Sequence, residues 1–404
     1  MRVIGIVTEY NPLHNGHEYQ IKQAREKYKA DYIIVLMTGN FNQRGMPAII
    51  SKEKRAQFAI QAGADIVYEF PTSYALEDVP TFAYCAVSML NQLEVVTDML
   101  FSSELGLLDD LVRMSEIITS TEYARMLGIL NEIDAPSLKR KEAFMKLGFE
   151  NYADVINDPN NLFAVYFIAA LKRTKSSIKP VTIKRIGDGY LYSRIHISGE
   201  KVFASATAVR NYLENGEKTN GEFPIIIKNA VPSYVYDRLF SEWRRTYPIT
   251  REDFWPEIRD SIEQLDIEKI AMISGMNLEM ARTVKDAICQ VKSYEGLVRY
   301  LELKHAHVSF HRRLFRILTR QFQKDIDSYI AVGPALYSTV LAHSAKGAEL
   351  LKFKKENGMI RDSLVSVNKS SRKRTLANQL EVNTGEADLI YMRVVGKKYG
   401  GVTI

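Results

Sequence analysis

Two histidines, His14 and His17, stand with Asn15 and Gly16 between them, a few residues after the apolar run Val3-Ile4-Gly5-Ile6-Val7. Paired imidazoles can donate hydrogen bonds to phosphoryl oxygens as negative charge builds there. A glycine beside them has no Cβ and can bring bare backbone against a ligand. A helix beginning at this point aims its free N–H groups and positive dipole end at an anion. The chemistry this suits is attack on the α-phosphate of a triphosphate such as ATP. The same residues allow two other readings, an ordinary turn or a His-x-x-His metal pair. Zinc takes three or four such ligands, and no further His or Cys lies near in sequence.

A second signal is Ser205-Ala206-Thr207-Ala208-Val209-Arg210. Hydroxyls at a helix start with an arginine one turn on, here Ser205, Thr207 and Arg210, can hold outer phosphates or departing pyrophosphate. Alone the pattern is weak, because Ser and Thr begin many helices. Lys184 and Arg185 could reach the same phosphates, and a surface role is as ordinary for Lys184. Asn160 and Asn161 follow Pro159 and read either as site amides or as a plain turn. The loop Thr38 to Pro47 offers Asn40, Gln43 and Arg44 to a substrate, or is merely an Asn/Gly-rich connection. Farther on, Arg312, Arg316 and Arg320 recur every fourth residue with Arg313 adjacent, after His305, His307 and His311. No acidic residue lies within one turn of Arg312 or Arg316, which favours an RNA backbone partner over salt bridges within the helix. A solvated helix face is the plainer alternative.

These residues need elements to position them. Residues 2–8, Tyr32 to Met37, Asp65 to Pro71 and Asp98 to Phe101 read as strands. Residues 16–29, a helix capped by Ser51, and residues 78–92 read as the helices between them. Strand and helix in alternation predict an α/β fold with a parallel sheet and right-handed crossovers. Ligands of such sheets sit at the carboxyl ends of the strands, where His14, Gly39, Arg44, Pro71 and Ser102 fall. Residues 106–180 read as mostly helical, broken at Asp158 to Asn161. Val181 to Ile186 returns as a strand, and Ser205 opens another helix. From about residue 222 the pattern is helical without the βα rhythm, and Phe223-Pro224 and Val231-Pro232 mark a linker. The expected division is a catalytic part over 1–222 and a mainly helical, basic part over 223–404.

The 404 residues are 46% hydrophobic and 25% charged, enough for two domains. Cys85 and Cys289, the two cysteines, lie far apart. That excludes a disulfide framework or a zinc ribbon and fits a reducing cytoplasm. No cleavable leader and no apolar run of spanning length is read, so no membrane partner is expected. Residues 1–110 hold 9 Lys and Arg against 14 Asp and Glu, and the remainder 45 against 34. A polyanion would dock on the basic part, although the excess is modest. Lys369 to Arg374 is a basic run that reads equally as a phosphate-contacting or a solvated loop.

Together these pieces resemble the bacterial tRNA(Met) cytidine acetate ligases of the HIGH-type nucleotidyltransferase superfamily. The resemblance runs through Val7 to His17, Met37 to Ala48, Ser51-Lys52, Ala62 to Asp65, Glu69-Phe70-Pro71, Ser103-Glu104, Pro159-Asn160-Asn161, Arg185, and Ala204 to Arg210. It is dense over the first 105 residues, patchy to 212 and thin afterwards. It implies a Rossmann-like N-terminal nucleotidyltransferase domain and a helical tRNA-binding C-terminal domain. It places ATP over Val7-Thr8-Glu9-Tyr10-Asn11-Pro12-Leu13-His14-Asn15-Gly16-His17-Glu18-Tyr19-Gln20, with Ser102, Asn160, Asn161 and Arg185 completing the site. Acetate would attack the α-phosphate, giving acetyl-adenylate and pyrophosphate, with His14 and His17 stabilising the charge and Mg2+ neutralising pyrophosphate. The wobble cytidine of elongator tRNA(Met) would take the acetyl group, giving N4-acetylcytidine and AMP, with Arg312, Arg313 and Arg316 on the RNA. Three positions depart from the family pattern: Ser102 stands for a glycine, Leu191 follows Tyr190 where a histidine is usual, and Ser309 stands for an arginine. An adenylyltransferase of cofactor biosynthesis, leaving AMP on a phosphorylated small molecule, is the alternative. A non-catalytic RNA-binding or nucleotide-sensing protein is a third.

Overall fold

The computed structural model describes residues 1–133, 135–186, 196–198, 201–215, 225–306, 308–357 and 371–400. Its centre is a six-stranded sheet of Val3–Thr8 (β1), Tyr32–Thr38 (β2), Ile66–Phe70 (β3), Asp98–Ser103 (β4), Lys179–Lys184 (β5) and Val340–His343 (β6), in the order β6-β3-β2-β1-β4-β5. The first five are parallel and β6 joins β3 antiparallel. Strands covered on both faces read as continuous Val/Ile runs, and β2 shows it. Ile34 and Leu36 enter the core on one face, while Ile33, Val35 and Met37 enter the core on the other.

Five helices position the site. Asn15–Glu26 (α1), Lys52–Gln61 (α2) and Val79–Gln92 (α3) lie between the first four strands, Pro159–Arg173 (α4) precedes β5, and Ala206–Asn215 (α5) follows it. The Asp158 to Asn161 segment breaks the helical run, as expected. It starts α4, with Pro159 in the first turn, where its missing N–H costs nothing. Ser51 stands before α2 as expected, but its side chain makes no capping bond.

Beyond residue 225 the chain is mainly helical, including Tyr294–Lys304 (α6), His311–Leu318 (α7) and Ser371–Tyr399 (α8). It has its own apolar core around Phe254, Phe310 and Phe315. Two features tie the helical part to the sheet. The strand β6 comes from the helical part and pairs His343 with Ile66 and Ala342 with Val67. Phe41 leaves the sheet side and inserts into the helical core, with ring centroids 5.5 Å from both Phe254 and Phe315. The boundary itself, Phe223-Pro224, lies outside the described residues, as do Leu191, His307 and Lys369.

Candidate active site

The turn after β1 folds the two imidazoles on each other. Their ring centroids are 3.7 Å apart at an interplanar angle of 22°. His14 is the N-cap of α1, and its Nδ1 accepts the Gly16 N–H at 3.1 Å. The Nδ1 of His17 accepts the His14 N–H at 3.4 Å. A ring nitrogen that accepts carries no proton, so a neutral ring there holds its hydrogen on Nε2. Both rings are held toward the neutral form. Burial pushes His14 well below the usual range, helped by His17, Arg185 and Arg210. Burial, with Arg185 and Arg210, pushes His17 down to about 3. The turn therefore presents two Nε2–H donors whose orientation is fixed by backbone. Gly16 serves this stacking directly, since a Cβ there would meet His14 Cε1 at 2.9 Å.

Surrounding groups hold the turn. Arg210 donates to the Asn11 carbonyl at 2.6 Å and to Thr207 Oγ1 at 3.0 Å. Fully buried Arg55 donates to the carbonyls of Glu9 at 2.6 Å, Thr38 at 3.2 Å and Ile50 at 3.1 Å, and also to that of Gly39. One guanidinium thus ties the ends of β1 and β2 together. Asn11 Oδ1 accepts the Ile49 N–H at 2.8 Å. At the start of α4, Glu104 accepts the Asn160 amide at 2.6 Å and the Asn161 N–H at 2.9 Å, where the helix dipole favours an acid.

These groups border a cleft of about 1590 Å³, open mouth included, at the carboxyl ends of β1, β4 and β5. Of the expected nucleotide residues it is lined by Val7, Thr8, Glu9, Tyr10, Asn11, His14, Gly16, His17, Tyr19, Gln20, Ser102, Asn160, Arg185, Ser205 and Arg210. Six others fall outside it. Leu13 is core, and Pro12 is buried beside it. Asn15 donates to the Asn229 carbonyl at 2.7 Å. Glu18 accepts from Tyr234 Oη at 3.2 Å, and Asn161 Oδ1 accepts the Leu105 N–H at 3.1 Å. Thr207 holds Arg210 and lines a second cleft. Ser102 lines the cleft half-buried, in register with Ile183.

One wall escaped sequence reading. Phe82, Phe101, Phe163 and Phe167 line the cleft, with ring centroids of Phe82 and Phe163 5.4 Å apart. Phe163 and Phe167 are one turn apart on α4, a spacing that marks a common face, but nothing local says that face meets a ligand. The cleft thus offers both apolar and cationic surface. Among the described residues Arg185 meets no carboxylate, and Tyr10 Oη and Asn11 Nδ2 are buried without a partner. Orphaned polar groups, a cation and an apolar wall lining one cleft fit an anion with an apolar head, such as ATP.

Two further groups of expected residues make contacts within the fold. In the loop, Gln43 and Arg44 line the cleft but Asn40 does not. The Asn40 side chain accepts the Lys52 N–H at 2.9 Å and donates to Asp388 at 2.8 Å. The arginine stripe of α7 is neither solvated nor wholly outward. Arg316 is buried, 3.0 Å from Glu77, and donates to the carbonyls of Leu76 and Ser274. Arg312 reaches the Glu77 carbonyl at 3.3 Å, and Arg313 the carbonyls of Gly275 at 2.7 Å and Ser309 at 2.6 Å. The acidic partner arrives from far away in sequence, so a search within one helical turn could not find it.

Comparison with known proteins places this geometry. The family model described as HIGH nucleotidyl transferase matches residues 1–399. A tRNA(Met) cytidine acetate ligase of Caldanaerobacter subterraneus subsp. tengcongensis is 35% identical over 373 residues, covering 87% of this chain and 86% of that protein. One of Acetivibrio thermocellus is 31% identical over 367 residues, covering 89% and 87%. The crystal structure of apo Thermotoga maritima TmcAL superposes with a TM-score of 0.84 at 25% identity, covering 100% of this chain and 98% of that one. The same protein bound with alpha-thio ATP gives 0.83 at 26%, covering 100% and 96%. The chain belongs to the HIGH nucleotidyl transferase family and, within it, to the tRNA(Met) cytidine acetate ligases.

Proposed function

We propose that this protein activates acetate with ATP and passes the acetyl group to the wobble cytidine of elongator tRNA(Met). The observation that carries the reading is the stacked imidazole pair, both rings held toward the neutral form and both Nδ1 atoms tied to backbone, beside Arg185. An acetate oxygen attacks the α-phosphorus, the bond to the β-phosphate oxygen breaks, and pyrophosphate leaves. The Nε2–H donors of His14 and His17 meet the oxygens on which charge grows, and they need no reorganisation to do so. Arg185, with Ser205 and Arg210 at the start of α5, receives the outer phosphates. The phenylalanine wall gives the apolar part of the nucleotide a dry surface. Among the described residues no three His, Cys, Asp or Glu cluster as a metal site. Magnesium arriving on the phosphates of the nucleotide would neutralise their charge.

Adenylation gives acetate a good leaving group. In the second step the cytidine N4 forms a bond to the acetyl carbon, the carbon–oxygen bond to the phosphate breaks, and AMP departs. The names of the relatives support the tRNA(Met) acceptor. Among the described residues no helix is long and apolar enough to cross a membrane. The test is exchange of labelled pyrophosphate into ATP. The reading expects exchange that depends on acetate, and N4-acetylcytidine missing from the tRNA of cells lacking the gene. Equal exchange with a phosphorylated small molecule in place of acetate would make the protein an adenylyltransferase instead.

A further inference from the structure

A second cleft, about 1850 Å³ with its open mouth, lies between α5, the segment 249–252 and α6. Arg44 and Arg210 line both clefts, so the two meet at these guanidinium groups. The helix α5 presents Thr207, Asn211 and Glu214 to the second cleft, a spacing that puts them on one face. Apolar contact comes from Met46, Ile249 and Val298, and Leu303 stands 80% exposed at the mouth beside exposed Arg299.

Acyl transfer needs the amine about 3–3.5 Å from the activated carbon, so the acceptor must approach the nucleotide cleft from a neighbouring space. A base within a polynucleotide presents its amine only when turned out of the stack into a pocket. The second cleft supplies apolar sides for such a base, guanidinium groups for its phosphates, and a carboxylate. Glu214 is half-buried and makes no hydrogen bond or ion pair among the described residues. A carboxylate is the acceptor that suits the exocyclic amine of cytosine.

We infer that the second cleft receives the acceptor nucleotide as a turned-out pyrimidine and that Glu214 accepts the hydrogen bond of its exocyclic amine. This rests on the acetate-ligase reading. As the nitrogen–carbon bond forms and AMP leaves with the electrons of the broken carbon–oxygen bond, the amine proton passes to the Glu214 carboxylate. Arg210 on the same helix, Arg251 and Asp253 from the neighbouring segment, and Lys398 from α8 face this carboxyl. Burial raises its affinity for protons and the three cations oppose that.

The experiment measures acetate-dependent pyrophosphate exchange and acetyl transfer to tRNA on the full-length protein. Glu214→Gln leaves exchange unchanged, lowers transfer at saturating tRNA by about a hundredfold, and removes the acid limb of the transfer rate. Leu303→Asp with Arg299→Ser, at the exposed mouth, raises KM for tRNA about tenfold with kcat and exchange unchanged. Glu214→Gln protein that transfers at the wild-type rate, or a double variant with unchanged KM, overturns the assignment. So does an equal fall of exchange and transfer in both proteins. Wild-type protein without acetate-dependent exchange overturns the acetate-ligase reading as well.

Discussion

Burial and two nearby guanidinium groups oppose the protonation of His14 and His17, which suits both rings to the proposed role of neutral donors. Both rings titrate below the ordinary value of 6.5. The unfolded chain therefore takes up protons near that pH that the folded chain does not, and these rings make the fold less stable as pH falls below it. Ring-proton NMR of the ligand-free protein should show both imidazoles neutral from pH 8 to about pH 5, and bound triphosphate should draw their titrations upward. Inflections near the ordinary value in the free protein would contradict the assignment. His17→Ala should raise the barrier to pyrophosphate exchange by about 2.7–4 kcal/mol, read from the exchange rate, with little change in unfolding. The histidine pair was legible because its residue types and position after a strand suffice. The role of Gly16 was only half legible. A Cβ at Gly16 would strike the His14 ring, a contact that exists only once the rings have stacked.

Among the elements, the loop between β2 and α2 is held from three directions. Phe41 is set in the helical core, and the carbonyls flanking the loop are bound by Arg55. Gly45 has φ +62°, and a Cβ there would lie 2.2 Å from the Arg312 nitrogen. That contact packs the start of α7 against the loop. Arg55→Met leaves four carbonyls unpaired and should cost on the order of 3 kcal/mol or more in urea unfolding. A loss of only a few tenths would show the guanidinium to be dispensable. Strand and helix positions in the first hundred residues were legible because each strand is an apolar run closed by a turn. The edge strand β6 was not. It is four residues long, Val340–His343, with a bulge after Val340. Such a run has too little pattern to register without its partner.

Across the whole molecule, the sheet and the long helix α8 are joined by one buried ion cluster. Lys52 lies between Glu69, 2.6 Å away, and Asp388 of α8. Two carboxylates share one ammonium, and burial, with Asp388, pushes Glu69 up to about 7. A folded state that keeps a proton the unfolded chain has released loses stability as pH rises from the ordinary carboxylate range to about 7. Asp388→Asn removes the competing charge, so the variant should show a flatter pH dependence over that interval in thermal unfolding. An unchanged slope would mean the proton lies elsewhere. The general plan, a parallel sheet followed by a basic helical part, was legible from rhythm and charge. The joining of the two parts was not, since Lys52 and Asp388 or Glu77 and Arg316 meet only in the folded chain. The most direct test of the whole account is a crystal structure of this protein with a non-hydrolysable ATP analogue. The α-phosphate should lie within hydrogen-bonding distance of Nε2 of His14 and His17, with the outer phosphates toward Arg185. A nucleotide bound away from the stacked rings would contradict it.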